Sequence, residues 1–223
     1  MNHSRQPNFY EPTLLLASTS PRRRELIRLL GLNFQIVSVD IDESPHRNES
    51  PQQLVARLAK AKAARAAKNF SDAIVVAADT TVSFQNEILG KPRDADDARR
   101  MLRILRGTMH TVFSGVTIRG NGTEISELAE TRVWMRDYSD AEIETYLATN
   151  DPLDKAAAYA VQHRDFSPVA RVDGCYANVM GLPLCHLDRA LKKFGVGVDA
   201  PDRACQAYLQ IVCPVAQIIL QAK

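Results

Sequence analysis

The segment from Leu14 to Leu26, LLLASTSPRRREL, determines how the rest of the chain is interpreted. Its apolar start is typical of a short buried strand, and Pro21 stands where the first residue of a helix is expected. The segment therefore predicts a strand that passes through a small polar loop directly into a helix. The backbone N–H groups around Ser18 to Ser20 and the positive end of the helix dipole then face outward together, an arrangement that favours a bound anion such as phosphate.

Arg22, Arg23 and Arg24 occupy the first turn of this predicted helix. Positive charge there opposes the helix dipole by roughly a few tenths of a kcal/mol per residue, so the cluster favours an anion that neutralises it. The alternative is a solvated surface, which is what most runs of charge form. The loop lacks the GxxxxGK[ST] pattern and is therefore not a Walker loop.

The composition narrows the class of protein. A chain of 223 residues with 45% hydrophobic content can bury a real core, and a net charge of +2 gives no reason to expect nucleic acid or a membrane surface as a partner. No apolar stretch approaches the roughly 20 residues of a membrane span, and the N-terminus lacks the pattern of a secretory signal. We therefore expect a soluble cytoplasmic protein. The four cysteines show no CxxC pair and no metal-ligand spacing, so we expect reduced, mostly buried thiols.

Strands and helices alternate along the chain. The patterns predict a strand at 34–39, a helix from 51 to about 69, a strand at 73–78 that ends before Asp79, and a hairpin at 82–89. A helix at 94–106, two strands around the Asn121-Gly122 turn and a helix from 139 to about 150 follow. Strand and loop are expected over 154–162 and 169–180, then a helix from 183 to 194 and a helix pair interrupted at Pro214. This alternation favours an α/β fold, a sheet flanked by helices.

A second group of candidate residues carries carboxylates and cations. Asp79 follows an apolar strand, at the edge of the sheet where ligands gather in α/β proteins, and Lys91 precedes a proline that stiffens its backbone. Glu43, in an acidic loop, could join Asp79 as an oxygen ligand of Mg²⁺, which uses one or two carboxylates together with phosphates and water. Each residue also has a simpler interpretation, since Asp79 could be a turn residue and Lys62, on an alanine-rich helix, could be solvent-exposed.

Eight motifs follow one another over roughly residues 14–194: LASTSPRRREL, GLNFQIVSVDIDE, LVARLAKAKA, AADTTV, ILGKPRDADDARRMLRIL, GTMHTVFSGV, DPLDKAAAYAVQ and GLPL. This ordered series resembles the Maf family of nucleoside triphosphate pyrophosphatases. The resemblance implies a mixed sheet with flanking helices, two lobes around a central cleft, distantly similar to the inosine triphosphate pyrophosphatases. It divides the chain into an N-terminal extension at 1–12, the Maf-like domain at 13–195 and a C-terminal helical extension at 196–223.

The resemblance also implies a reaction, the hydrolysis of a nucleotide between its α and β phosphates, and a role for each matching residue. Asp79 matches the proton acceptor, Glu43 an acidic residue that helps with metal or water, and Lys91 a cation at the phosphates. Both carboxylates are implied ligands of a divalent metal, Mg²⁺ or Mn²⁺. The implied phosphate contacts are Ser18, Arg22, Arg23, Lys62 and Lys91. The implied partners are a nucleoside triphosphate and a second copy of the chain.

Substrate choice follows from three further positions. Arg23, Thr80 and Gln162 match the members that act on dTTP and UTP, because Thr80 follows Asp79 and Gln162 follows the AAAY segment. The chain departs from many such members after Gln162, where HRDFSPVARVDG replaces a glycine-rich turn. Two alternatives stay open from the sequence. One is the same reaction on 7-methyl-GTP or other modified nucleotides, and the other is a nucleotide-binding regulator of cell division with little turnover.

Overall fold

A computed structural model describes residues 13–222 as one mixed sheet with helices on both faces. The strands are β1 Leu14–Leu16, β2 Phe34–Ile36, β3 Ile74–Phe84, β4 Glu87–Leu89, β5 Met109–Gly120, β6 Thr123–Met135 and β7 Val169–Gly174. The helices are α1 Pro21–Arg28, α2 Pro51–Ala67, α3 Ala95–Leu105, α4 Asp140–Leu147, α5 Tyr176–Val179, α6 Leu184–Lys192, α7 Pro201–Leu209 and α8 Ala216–Gln221. Two short 3₁₀ turns, Asp151–Asp154 and Ala156–Ala158, lie between α4 and β7.

The strand order is β2-β1-β3-β5-β6-β7, with β4 paired to β3. Strand β1 runs parallel to both β2 and β3, whereas the other pairings are antiparallel. The predicted fold class, a mixed sheet with flanking helices around a cleft, is confirmed.

Local sequence signals define the helix starts. The Ser20 hydroxyl accepts from the backbone N–H of Arg23 and Pro21 begins α1, as the sequence predicts. A capping box between Ser50 and Gln53 begins α2, and a second one begins α4.

The core divides along the length of the long strands. Near the start of β3, Leu14, Leu16, Ile74 and Val76 pack toward α1 and α6, while the alternate residues pack toward α2. Farther along β3 and β5, the side chains pack against α3 and α4 in a separate group that includes Val82, Leu102, Val112, Tyr138 and Tyr146. The strands β3, β5 and β6 thus run through two lobes.

A gap between the lobes opens along one edge of β3. Strand β1 ends at Leu16, opposite Val76, whereas β4 begins to pair with β3 only at Val82. In the described chain, no strand pairs with β3 on this edge between those points, although β5 pairs with it along the other edge. Asp79 and Thr80 lie in this gap.

Three predictions about elements were wrong. Strand β3 does not end before Asp79 but continues to Phe84, because β5 pairs with it through Asp79 and on to Ser83. The segment predicted as a strand at 154–162 forms 3₁₀ turns instead, and β2 ends at Ile36 rather than 39. The predicted extension at 1–12 lies outside the described residues. No helix among residues 13–222 is long and apolar enough to cross a membrane.

Candidate active site

The cleft has a volume of about 620 Å³ and opens above the gap in the sheet. Its walls come from the β1–α1 loop, the loop around Glu43, helix α2, the middle of β3, the segment after β4 and the α5–α6 connection. The sequence-predicted residues on its walls are Ser18, Arg22, Arg23, Glu43, Lys62, Asp79, Thr80 and Lys91. Tertiary structure therefore collects eight of the nine predicted residues in one place.

Gln162 is the ninth, and the structure does not bring it to the cleft wall. It is exposed in the turn that follows the second 3₁₀ segment. Its predicted role in substrate choice stays a prediction.

Asp79 and Thr80 point to opposite faces of the sheet because they are neighbours in a strand. Asp79 continues the side of β3 that packs against α2, while Thr80 continues the side that packs against α1 and α6. One short sequence therefore supplies two walls of the cleft, which is possible only because β1 stops short and leaves this stretch of β3 open.

Lys62 joins the two predicted carboxylates. Its Nζ atom donates to Asp79 Oδ1 at 2.6 Å and lies 2.7 Å from Glu43 Oε1. Lys62 and Asp79 are each only 8% exposed, whereas the Glu43 side chain is 60% exposed at the mouth of the cleft. The simpler interpretation of Lys62 as a solvent-exposed residue is wrong, because it lies on the same face of α2 as Leu58, Ala59 and Ala66.

The charge balance around Glu43 favours its ionised form. Burial on its own raises the pKa of Glu43, but the hydrogen bond and charge of Lys62, with the charges of Lys91 and Arg23, bring it below its usual value. The cleft can thus present a carboxylate near neutral pH.

Arg23 is held by the opposite wall. Its Nε atom donates to the Gly181 carbonyl at 2.9 Å, and its terminal nitrogens lie 3.4 Å from Ser18 Oγ and 3.2 Å from Thr80 Oγ1. Burial among these groups lowers the pKa of Arg23, and the nearby charge of Asp79 opposes that shift. Three of its five N–H groups are used by protein atoms, so Arg23 is an oriented group with donors left for a ligand.

Sequence reasoning missed the residues that support this wall. The Ser114 hydroxyl lies 2.7 Å from Thr80 Oγ1, and the Gly181 carbonyl accepts from both Arg23 and Thr80. Gly181 has φ of +109°, a backbone conformation that glycine adopts readily. The motif GLPL marks its position in the sequence but gives no indication of this contact, since Arg23 and Gly181 are 158 residues apart.

Gly115 was also missed, and it sets the distance between α2 and the sheet. It pairs with Asp79 across the β3–β5 ladder. A Cβ atom at this position would collide with the backbone carbonyl group of Val55 in α2. The close packing that Gly115 allows brings Lys62 on α2 within hydrogen-bond distance of Asp79.

The charged groups of Arg22 and Lys91 are more accessible, and less tightly held by protein contacts, than those of Arg23 and Lys62. Arg22 lies 3.8 Å from the exposed Asp154 carboxylate, a weak surface pair. Lys91 is exposed on the cleft wall after β4. Both cations can therefore turn toward an anion at little cost.

The fold and the cleft define a mixed α/β protein. Its cleft, beyond the end of the first strand, contains a pair of carboxylates surrounded by cationic side chains. The chain belongs to the Maf family, because the family model described as Maf-like protein matches residues 13–194.

Curated relatives cover most of the chain. A protein of Pelotomaculum thermopropionicum named dTTP/UTP pyrophosphatase is 44% identical over 83% of this chain and 98% of its own length. A protein of Myxococcus xanthus with the same name is 44% identical over 88% of this chain and 99% of its own length. Among solved structures, the Staphylococcus aureus Ham1 protein is similar over 56% of this chain and 72% of that chain, with a TM-score of 0.42 and 12% identity.

Proposed function

We propose that this protein hydrolyses nucleoside triphosphates between the α and β phosphates, prefers dTTP and UTP, and releases a nucleoside monophosphate and pyrophosphate. The observation that carries this proposal is the lysine-bridged carboxylate pair, which faces the arginine-bearing loop across one cleft. Membership of the Maf family and relatives named dTTP/UTP pyrophosphatase support the reaction and the choice of nucleotide.

Phosphate binding follows from the loop that leads into α1. Backbone N–H groups at the start of this helix, together with the charges of Arg22 and Lys91, attract the phosphate oxygens. Neutralising those oxygens is usually the largest part of catalysis in phosphoryl transfer, because an anion repels the attacking water.

Asp79 is the proposed proton acceptor. The bond from Lys62 uses its Oδ1 atom, so Oδ2 can accept a proton from a water molecule that attacks the α phosphorus. The bond between this phosphorus and the bridging oxygen then breaks, and pyrophosphate leaves. Lys62 fixes the orientation of the Asp79 carboxylate throughout.

Glu43 and Asp79 are the residues that would hold a divalent ion, Mg²⁺ or Mn²⁺. Their oxygens already share one cation, the Lys62 ammonium, so the donor set fits a second cation that brings phosphate and water as its other ligands. Among residues 13–222, no group of three or more His, Cys, Asp or Glu side chains is arranged for a metal. When bound, the ion would neutralise phosphate charge.

Thr80 and Arg23 are the proposed specificity residues inside the cleft. Their mutual contact and their shared acceptor, the Gly181 carbonyl, give them one fixed arrangement against which a nucleotide can be selected. The homodimer and the cytoplasmic location stay predictions that rest on the family and on the sequence.

The test is pyrophosphate release from dTTP, UTP, CTP, GTP, 7-methyl-GTP and ITP, with Mg²⁺, Mn²⁺ or chelator. We expect metal-dependent release that is fastest with dTTP and UTP. Release led by 7-methyl-GTP or another modified nucleotide would retain the reaction and overturn the substrate assignment. No release from any nucleotide would favour the regulatory binder.

Asp79→Asn tests the proposed mechanism. We expect kcat to fall by about 10²–10⁴-fold with the fold and nucleotide affinity retained, because the change removes a proton acceptor but little volume. Asp72→Asn is the control, since Asp72 is exposed just before β3. Near-normal turnover in Asp79→Asn would contradict the role given to this carboxylate.

A further inference from the structure

The side-chain amide of Asn178 lies in a buried hydrogen-bond network behind one wall of the cleft. Asn178 belongs to α5 and is 0% exposed. Its Nδ2 atom donates to the Val112 carbonyl in β5 at 3.1 Å and to the Thr131 hydroxyl in β6 at 3.0 Å. A helix of only four residues is not stable on its own. The two bonds from Asn178 therefore help to fix the position of α5 against the sheet.

The neighbours of this amide define its orientation. The Val112 carbonyl only accepts hydrogen bonds, so the Asn178 nitrogen must face it. The Thr131 hydroxyl donates to the Cys175 carbonyl at 3.1 Å, so its oxygen accepts from the Asn178 amide. Among the described residues, the Asn178 Oδ1 atom has no hydrogen-bond partner. An unpaired buried acceptor lowers stability, so core packing alone does not account for an amide at this position.

The backbone that follows α5 connects this amide to the cleft. The N–H group of Gly181 donates to the Asn178 carbonyl at 2.9 Å and to the Ala177 carbonyl at 3.1 Å. Gly181 lines the cleft, and its own carbonyl is the shared acceptor of Arg23 and Thr80. A displacement of α5 would therefore move the acceptor on which both proposed specificity residues depend.

The hydroxyl groups of Thr80 and Ser114 are oriented by the same segment. Each hydroxyl has one proton, and the two oxygens lie 2.7 Å apart. If Thr80 donates to Ser114, the Ser114 proton is directed to the Asn178 carbonyl at 3.4 Å. If Ser114 donates to Thr80, the Thr80 proton is directed to the Gly181 carbonyl at 3.3 Å. Both arrangements end on a carbonyl within residues 178–181, so the position of this segment determines the direction of the Thr80 hydroxyl.

We propose that Asn178 is a positioning residue for nucleotide selection, because it fixes α5 and thereby the Gly181 carbonyl that orients Arg23 and Thr80. The inference rests on the proposed function, in which Arg23 and Thr80 select the nucleotide. Asn178 is not among the residues that line the cleft, so its effect passes through the turn at Gly181. The sequence gives no indication of this role, since Asn178 is 66 residues from its acceptor Val112.

The experiment measures how strongly the full chain prefers dTTP over CTP. Non-hydrolysable α,β-methylene analogues of the two nucleotides give the ratio of their Kd values without turnover, and kcat/KM for dTTP and CTP is measured beside it. Asn178→Ala removes both bonds of the amide. We expect it to lower the preference for dTTP by about 2–30-fold, the range for residues that act on a site without touching the ligand.

Thr131→Val is the second variant, because Asn178→Ala also leaves a cavity. It removes one acceptor of the amide with little change of shape, so we expect a smaller loss of preference, in the same direction. Thr117→Val is the matched control, since Thr117 is another buried threonine of the sheet and its hydroxyl pairs with Ser126 at 3.0 Å. This control should lower the Tm as Thr131→Val does and leave the preference unchanged. If Asn178→Ala does not fold, Thr131→Val decides the test.

A double-mutant cycle separates positioning from a general loss of stability. Thr80→Val removes the hydroxyl that the segment orients. In that background, Thr131→Val should change the preference for dTTP by a smaller factor than it does in the wild type. A purely structural effect would give the same factor in both backgrounds.

Three results would overturn the proposal. The first is an unchanged preference in folded Thr131→Val, and the second is an equal fall in Thr117→Val, which would indicate general destabilisation. The third is wild-type protein that binds the two analogues equally. The proposed reaction is judged separately. Pyrophosphate release with an unchanged preference in the variants rejects only the positioning role, whereas a preference that falls in the variants without release from the wild type rejects only the reaction.

Discussion

Lys62→Met is the substitution that tests the arrangement of the cleft most directly. It removes the ammonium that bridges Glu43 and Asp79 but preserves the length of the side chain on α2. Because one nitrogen contacts both carboxylates, their oxygens lie within about 5 Å of each other. Without the ammonium, two like charges face each other at that distance.

The magnitude follows from Coulomb's law. At about 5 Å and an effective dielectric constant of about 20, two negative charges repel by about 3 kcal/mol. In the wild type the Lys62 ammonium offsets this repulsion, so the variant is expected to retain a proton in the cleft to a higher pH than the wild type does. The retained proton blocks the proposed base, so the acidic limb of the kcat/KM profile should move upward.

The assay is pyrophosphate release from dTTP or UTP between pH 5 and 9. At the optimum we also expect kcat/KM to fall by about 10–100-fold, because the Asp79 carboxylate loses the charge-assisted hydrogen bond that orients it. Raising the Mg²⁺ concentration should partly reverse the pH shift, since the ion supplies positive charge between the same carboxylates. Lys60→Met is the matched control, because Lys60 lies on the same helix but is exposed and 3.9 Å from Glu124. An acidic limb that stays in place in Lys62→Met would refute the bridging role.

Three further predictions concern the supporting structure. Ser114→Ala should lower the free energy of unfolding by about 1 kcal/mol and reduce the preference for dTTP over CTP, whereas Ser126→Ala, which removes a hydroxyl pair outside the cleft, should leave that preference unchanged. Gly115→Ala should cost about 1–3 kcal/mol in thermal unfolding and also lower kcat, because its methyl group pushes α2 outward; Gly197→Ala, which meets no neighbour, should do neither. Burial lowers the pKa of His110 to about 4, below its usual value near 6.5. The contribution of the neutral His110 side chain to the free energy of unfolding is therefore complete above pH 6.5 and is lost as the pH falls toward 4. Urea titration should show a loss of about 2 kcal/mol between pH 7 and 5 from this residue, and the loss should shrink in His110→Gln.

The sequence predicts the elements whose signals are local. Pro21 after Ser20, the Ser50 and Ser139 capping boxes and the turn at Asn121 all lie where the structure places them, because each signal involves residues within four positions of each other. The end of β3 was mispredicted because strand length depends on a partner. Polar residues at Asp79 to Thr81 interrupt the apolar run, yet pairing with β5 continues the strand through them.

The candidate site was likewise predictable only in part. Its charged residues can be recognised in the sequence by their residue types, but the contacts between them cannot. The contact between Lys62 and Glu43, the carbonyl of Gly181 beneath Arg23 and the hydroxyl of Ser114 are visible only after the chain has folded.

The charged residues of the cleft differ in solvent exposure, and this difference separates their roles. Asp79 and Lys62 are buried, and each would be costly without the other, so they must be paired in the folded protein. Arg22 and Lys91 are less enclosed, so water solvates their charge at little cost and they are available to phosphates. A change at Lys62 should therefore alter the pH dependence of turnover, whereas a change at Arg22 should raise KM and leave the acidic limb where it is. This difference follows from burial, because all of these cations carry the same charge.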